Sequence, residues 1–203
     1  MIPQDELTGL ILAGGQGRRM GGMDKGLVIF QGRPLVAHVG ERLDGRVAEL
    51  LINANRSLAA YAPLADRVIV DVEAGFQGPL MGIYSGLRAA ATPWLLVVPC
   101  DTPALPDDLV ARLVAGLGDG DIAVAWDGER LHPVVALIRT RLADDLAAAL
   151  AAGERKIDRW YARHAWRRVD FSDCPAAFAN LNTEEEKHRL ERALPGRPRS
   201  RER

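Results

Sequence analysis

Two stretches of this sequence carry residue types suited to phosphate chemistry. The first is Leu12-Ala13-Gly14-Gly15-Gln16-Gly17-Arg18-Arg19-Met20-Gly21-Gly22-Met23-Asp24-Lys25-Gly26, with six glycines, two arginines and a lysine. Glycines leave backbone N–H groups open to wrap a polyphosphate, and the three cations supply the opposing charge. An isolated glycine pair more often only punctuates a loop. Here the run directly follows an apolar segment, Leu7 to Ala13, that reads as a first parallel strand, and open α/β sheets bind ligands at the carboxyl ends of such strands. The second stretch is Trp94 to Pro99, an apolar strand that delivers Asp101 through Cys100 and is stopped by Thr102-Pro103. A single carboxylate is enough to tether magnesium already chelated by nucleotide phosphates. Asp-Thr-Pro is equally good turn chemistry, so Asp101 gains weight only beside the glycine loop.

Two familiar phosphate loops do not match. A Walker A loop needs Gly-Lys-Ser/Thr, whereas Lys25 follows Asp24 and precedes Gly26. A dinucleotide fingerprint needs a small residue where Met20 stands, after the bulky Arg18 and Arg19. P-loop hydrolysis and nicotinamide chemistry are therefore disfavoured.

The elements that position these residues follow from periodicity. Nearly continuous apolar runs at Leu7 to Ala13, Leu50 to Ala54, Val68 to Asp71, Trp94 to Pro99, Ile122 to Trp126 and Pro133 to Ile138 read as strands buried on both faces. Helices are expected at Pro34 to Leu43, Leu80 to Ala91, Pro106 to Leu117 and Arg139 to Ala152, with Pro106, Asp107 and Asp108 in a first turn and Gly116 and Gly118 as stops. The alternation predicts an α/β fold, a mostly parallel twisted sheet with helices on both faces. Beyond Gly153 come a helix-like piece from Arg155 to Trp166, a strand from Arg167 to Phe171, a short run from Ala177 to Leu181, and a helix from Glu184 to Leu194 capped by Thr183. The stretch from Pro195 carries four arginines against Glu202 and two prolines, and is expected to be a disordered basic tail.

With 27 acidic and 26 basic side chains the formal charge is −1, so no global field recruits nucleic acid or an anionic membrane. No apolar run is long enough to span a bilayer and the opening residues lack a signal-peptide pattern, which predicts a cytoplasmic protein. Two cysteines, Cys100 and Cys174, make neither a disulfide framework nor a zinc site and are read as reduced thiols.

The motifs resemble a known family. Leu12-Ala13-Gly14-Gly15-x-x-x-Arg19-Met20-Gly21-Gly22-x-Asp24-Lys25 is similar to the signature of molybdenum cofactor guanylyltransferases, the MobA type of the nucleotidyltransferase superfamily. The likeness continues through Asn53, Asp71, Gly78-Pro79-Leu80-Met81-Gly82-Ile83, Pro99-Cys100-Asp101-Thr102-Pro103, His132-Pro133-Val134 and Asn180-Leu181-Asn182-Thr183. Met81 stands where such enzymes often have Ala, and the basic tail is extra.

The resemblance implies one Rossmann-like nucleotidyltransferase domain over residues 1–194, with 195–203 as the tail. It implies transfer of GMP from GTP to the phosphate of metal-bearing molybdopterin, with pyrophosphate released and Mg2+, or Mn2+ as a substitute, assisting. Arg19, Lys25 and Asp101 are then the catalytic candidates. Leu12, Ala13, Gly14, Gly15, Lys25, Asn53, Asp71 and Asp101 are the nucleotide-binding candidates, with Asp101 also the metal ligand. Gly22, Gly82, Asn180 and Asn182 are the acceptor-binding candidates, since amides can satisfy both donors and acceptors on a pterin edge. The implied partners are GTP, molybdopterin and, transiently, molybdoenzyme maturation proteins; the chain is expected to be a monomer that binds neither nucleic acid nor membrane.

Other residues have plainer readings. Arg18 is a solvated neighbour, and Asp24 either orients Lys25 by charge or is an ordinary turn carboxylate. His132 before Pro133 is more often a strand-start residue than a ligand. Trp160, Tyr161 and Trp166 are expected to cover the sheet edge. Alternative functions are a molybdopterin cytidylyltransferase, a sugar-phosphate nucleotidyltransferase, or a noncatalytic nucleotide-binding adaptor that delivers cofactor.

Overall fold

The computed structural model describes residues 2–14, 24–75, 78–181, 185, 186 and 190. In chain order these hold β1 (Leu7–Leu12), a hairpin of β2 (Ile29–Phe30) and β3 (Arg33–Pro34), α1 (Leu35–Leu43), β4 (Glu49–Asn53), α2 (Leu58–Tyr61), β5 (Arg67–Ile69), α3 (Pro79–Ala89), β6 (Trp94–Pro99), α4 (Leu109–Leu117), β7 (Ile122–Trp126), β8 (Leu131–Arg139), α5 (Ala143–Ala151), α6 (Ile157–Tyr161) and β9 (Trp166–Asp170). Seven strands form one sheet in the order β5-β4-β1-β6-β8-β7-β9. Only β8 runs against its neighbours; every other adjacent pair is parallel. This is the expected mostly parallel, Rossmann-like α/β architecture.

Alternating side chains of the central strands feed two cores. Ile11, Ile52, Leu96 and Val98 pack with Val36, Val39 and Leu43 of α1 and Leu109, Leu113 and Leu117 of α4. Leu10, Leu51, Leu95 and Val97 pack with Leu80, Ile83 and Leu87 of α3, Leu146 and Leu150 of α5, and Trp160 of α6. Burial on both faces explains why β1 and β6 read as unbroken apolar runs rather than as alternating ones. Trp160 and Tyr161, expected to cover the sheet edge, are buried in the second core on one face of the sheet, and Trp166, packed against the same core, belongs to the edge strand β9 itself.

Several boundaries differ from expectation for local reasons. The helix expected from Pro106 starts at Leu109: the Leu109 N–H closes a turn onto the Pro106 carbonyl at 3.1 Å, and Asp107 is drawn to Arg42 of α1 at 2.6 Å. Gly118, at φ +56°, ends α4, while Gly116 lies inside the helix against Val169. Arg139 belongs to β8 and not to a helix, because its N–H still bonds the Asp121 carbonyl at 3.0 Å. A 3-10 turn, Thr140–Leu142, then leads into α5. Pro34, expected to open α1, pairs with Ile29 in the hairpin. Trp166, expected to end a helix, pairs with Ile122 instead. Of the helix expected from Glu184 to Leu194, Glu185, Glu186 and Leu190 are described and helical; Thr183 and the tail from Pro195 lie outside the described residues.

Candidate functional site

The register brings the strand ends level. Leu12 pairs with Asn53 on one side and with Pro99 on the other, so β1, β4 and β6 finish in one row. Ladder bonds continue just past it, from the Ala13 N–H to the Asn53 carbonyl at 2.9 Å and from the Cys100 N–H to the Leu12 carbonyl at 3.1 Å. Gly14 and Asp101 therefore emerge side by side from adjacent strands.

On the β4 side, Asn53, Asn55 and Asp71 form one polar knot. Asn53 Nδ2 donates to Asp71 Oδ1 at 3.0 Å, Asn55 Nδ2 donates to Asp71 Oδ2 at 2.7 Å, and the Asp71 N–H returns a bond to Asn55 Oδ1 at 2.9 Å. Asn53 is buried at 2% exposure, while Asp71 is half-buried, so Asn53 holds Asp71 from below. Gly82 of α3 is part of the same packing: a Cβ there would lie 2.7 Å from Asn53 Oδ1 and 2.8 Å from Leu12 Cδ2. Any side chain at Gly82 would push α3 off the strand ends or displace the amide. The expected nucleotide residues Leu12, Ala13, Gly14, Asn53 and Asp71 are thus brought together with Gly82.

The charge centre lies one strand over. The Lys25 ammonium pairs with Asp101 Oδ2, and both side chains are largely shielded from solvent. Asp101 Oδ1 is buried and has no hydrogen-bond partner among the described residues. An acceptor-only oxygen left in that state needs a cation or donor from a ligand. Asp24, expected either to orient Lys25 or to serve as a turn carboxylate, is buried. Tyr61 donates its hydroxyl proton to Asp24 Oδ1, and Arg56 Nε lies 3.6 Å from Oδ2. Burial, and then the bond to Asp24, push the Tyr61 phenol well above its usual range, so it remains a proton donor. Gly26 makes room for this ring, since a Cβ there would meet the Tyr61 oxygen at 2.5 Å. Lys25 is thus carried on a segment pinned from beneath by α2.

A lone Asp101 with an unsatisfied oxygen suits a magnesium ion that arrives with nucleotide phosphates and keeps its waters. Among the described residues no group of three His, Cys, Asp or Glu side chains forms a self-sufficient metal cage. Cys100 is buried beside Asp101, and burial, then the neighbouring carboxylate, push its thiol far above the range in which it acts as a nucleophile.

On the far side of Asp101 the chain returns from its last strand. The Leu181 N–H donates to the Asp101 carbonyl at 2.9 Å, and the Leu181 side chain packs with Val28, Phe30 and Leu35. Asn180, an expected acceptor residue, is thereby placed next to the charge centre. His132 is a buried residue of β8, its Nε2 2.7 Å from Asp127 Oδ2 and its ring stacked on Phe178. Gly15, Arg18, Arg19, Gly22 and Asn182 lie outside the described residues.

Five participants were not singled out in the sequence: Asn55, Arg56, Tyr61, Asp127 and Phe178. Asn55 had a signal, because a spacing of two after a strand puts it on the same side as Asn53. Asp127 had one as well, as Asp127-Gly128 between two apolar runs is hairpin chemistry. Tyr61 and Phe178 had none, because their partners are distant in sequence.

The model of the MobA-like NTP transferase domain family matches residues 9–169. The chain is 51% identical over 190 residues to the molybdenum cofactor guanylyltransferase of Shewanella amazonensis, covering 93% of this chain and 97% of that protein. It is 48% identical over 191 residues to the enzyme of the same name from Shewanella sediminis, covering 93% and 97%. Its fold is similar to that of molybdopterin-guanine dinucleotide biosynthesis protein A from Archaeoglobus fulgidus, with a TM-score of 0.75 over 92% of this chain and 97% of that one, at 23% identity. With the relatives near half identity extending over almost the whole of both sequences, the chain belongs to the MobA-like NTP transferase family, among the molybdenum cofactor guanylyltransferases.

Proposed function

We propose that this protein transfers GMP from GTP to the phosphate of metal-bearing molybdopterin, forming the guanine dinucleotide cofactor and pyrophosphate. The observation that carries the reading is the Lys25–Asp101 pair at the level ends of β1 and β6, with one Asp101 oxygen left for a ligand. An oxygen of the acceptor phosphate attacks the α-phosphorus of GTP. A P–O–P bond forms, and the bond to the β-phosphate oxygen breaks with its electrons leaving on pyrophosphate. The attacking phosphate is already anionic near neutral pH, so the protein needs no side-chain nucleophile, and catalysis is positioning and charge neutralisation.

Asp101 would hold the magnesium ion, which when bound offsets charge on the nucleotide phosphates. Lys25, released from Asp101 as nucleotide binds, neutralises the departing pyrophosphate. Gly14 offers backbone N–H, Asp71 held by Asn53 and Asn55 faces the nucleoside, and Asn180 meets the pterin. By the family resemblance Gly15 and Arg19 contact the phosphates, while Gly22, Gly82 and Asn182 border the acceptor. The same reading takes residues 1–194 as one catalytic domain with a disordered basic tail, acting as a cytoplasmic monomer that passes its product to molybdoenzyme maturation proteins. Among the described residues no helix is long and apolar enough to cross a membrane.

The test is incubation of the purified protein with molybdopterin, magnesium and each nucleoside triphosphate in turn, with product mass and pyrophosphate release measured. GTP should be used efficiently, with CTP and ATP poor donors. A higher kcat/KM with CTP would replace this reading with cytidylyl transfer, and binding without pyrophosphate release would point to an adaptor.

A further inference from the structure

The Asp127–His132 pair has no part in the mechanism above, yet it is buried at the same end of the sheet. Asp127 accepts N–H bonds from Glu129 at 2.9 Å and Arg130 at 2.8 Å, which already fix the β7–β8 hairpin tip. His132, with Nε2 2.7 Å from Asp127, is therefore surplus to the tip's own needs. The ladder between β7 and β8 is broken where this histidine sits. Val124 pairs with Ala136 but Ala125 pairs with His132, so Pro133, Val134 and Val135 are left out of register. Pro133 has no N–H to give to the ladder, and a bulge of this kind re-aims the side chains beyond it.

The consequence is visible in the packing. Ala136 and Ile138 belong to the core under α3 and α5, and unbroken alternation would send His132 there too. Its ring instead stacks on Phe178, with centroids 4.7 Å apart and planes at 27°, and Phe178 belongs to the opposite core. Two residues after Phe178 comes Asn180, and the next N–H, that of Leu181, bonds the Asp101 carbonyl at 2.9 Å. A continuous series of contacts thus runs from the hairpin tip through Asp127, His132 and Phe178 to the segment beside Asp101.

We propose that His132, fixed by Asp127 and stacked on Phe178, is a positioning residue that holds the Asn180–Leu181 segment against Asp101 and so sets acceptor binding. That the acceptor is molybdopterin rests on the functional reading above; the positioning itself does not.

The test uses the full chain with His132→Ala, which removes both contacts, and His132→Gln, which keeps a donor for Asp127 but not the stacked ring. The first readout is amide hydrogen exchange without substrate. The Leu181 amide should exchange at least tenfold faster in His132→Ala, while the Cys100 amide, bonded to Leu12 on the opposite side of the charge centre, keeps its parental rate. His132→Gln should fall between the two and serves as the informative variant if His132→Ala does not fold. The second readout is kinetic: KM for molybdopterin should rise about tenfold with KM for GTP within twofold of the parent. Parental protection of Leu181 in a folded variant overturns the proposal, as does a parallel rise in both KM values. If Leu181 loosens as expected but the parent makes no dinucleotide from molybdopterin, positioning stands and the assignment of the acceptor falls.

Discussion

On the nucleotide side of the sheet, Gly14, Asn53 and Asp101 leave three adjacent parallel strands whose last residues are in register, and Gly82 of α3, an expected acceptor residue, meets that side directly on Asn53. On the acceptor side, the corresponding place is filled by an antiparallel strand with three residues out of register and by a return segment held through Phe178 and Leu181. The first is a consequence of secondary structure: parallel strands of matched length present their carboxyl ends together. The second depends on tertiary contacts between parts of the chain that have no local reason to meet. Substitutions should accordingly disturb one substrate without the other.

The largest effect is expected where the sides join. Asp101→Asn removes both the partner of Lys25 and the candidate metal ligand, and should lower kcat by roughly 100- to 1000-fold, the usual penalty for losing one well-placed electrostatic group. Turnover at saturating GTP and molybdopterin, across magnesium concentrations and with circular dichroism as the fold check, measures it. Parental turnover in the folded variant would leave the comparison without its shared centre.

Next in size is Tyr61→Phe, which preserves the buried ring but leaves Asp24 without its hydroxyl donor. Loss of a hydrogen bond to a charged group costs about 1.5–3 kcal/mol. The expected outcome is a lower unfolding midpoint in urea and a KM for GTP raised roughly tenfold, with KM for molybdopterin unchanged. An equal shift in both constants would show that α2 supports the whole sheet end and not the nucleotide side alone.

A smaller effect belongs to Asn55→Ala. Asp71 retains Asn53 but loses one amide donor, so KM for GTP should rise by roughly three- to tenfold, in line with about 1 kcal/mol for a typical hydrogen bond. Isothermal titration with GTP should show the same loss; unchanged affinity would remove Asn55 from the nucleotide side.

The smallest effect is a pH dependence on the acceptor side. Burial works to raise the Asp127 pKa, but the N–H groups of Arg130 and Glu129 and the His132 ring outweigh it and hold the carboxyl well below its usual range. A folded-state pKa below the unfolded value of 3.8 means that the stabilisation is present above that value and is lost as pH falls below it. The stability difference between the parent and Asp127→Asn should therefore shrink as pH falls below about pH 4. Chemical denaturation at a series of pH values reads this directly, and a difference that stays flat to pH 3 would contradict it.

This contrast also governs what the sequence could disclose. The strands Trp94–Pro99 and Ile122–Trp126 were read to the residue because burial on both faces makes them unbroken apolar runs, and from the end of the first of them Asp101 followed. Asn53 ends β4 in the same way, whereas the strand read from Val68 to Asp71 is the partly exposed edge strand Arg67–Ile69, and Asp71 lies two residues beyond it. The start of α4 was misplaced because Asp107 answers to Arg42 of another helix, a partner that no local pattern reveals. Tyr61 was not singled out, and its role appears only when Asp24 is brought over it. His132 read as a strand-start residue, and so it is, but the ladder break at Pro133 that turns it toward Phe178 depends on how β7 pairs.

The bond from Leu181 to the Asp101 carbonyl sets an order of assembly during synthesis. Chains emerge amino end first, and contacts between distant segments must wait for both to be present. The elements around Gly14, Asn53 and Asp71 are all translated before β6 and Asp101 directly after it, whereas the acceptor segment Asn180–Leu181 waits for the chain to reach its last described strand and beyond. A nascent chain of this protein gains the parts that hold a nucleotide well before it gains the parts that would use it.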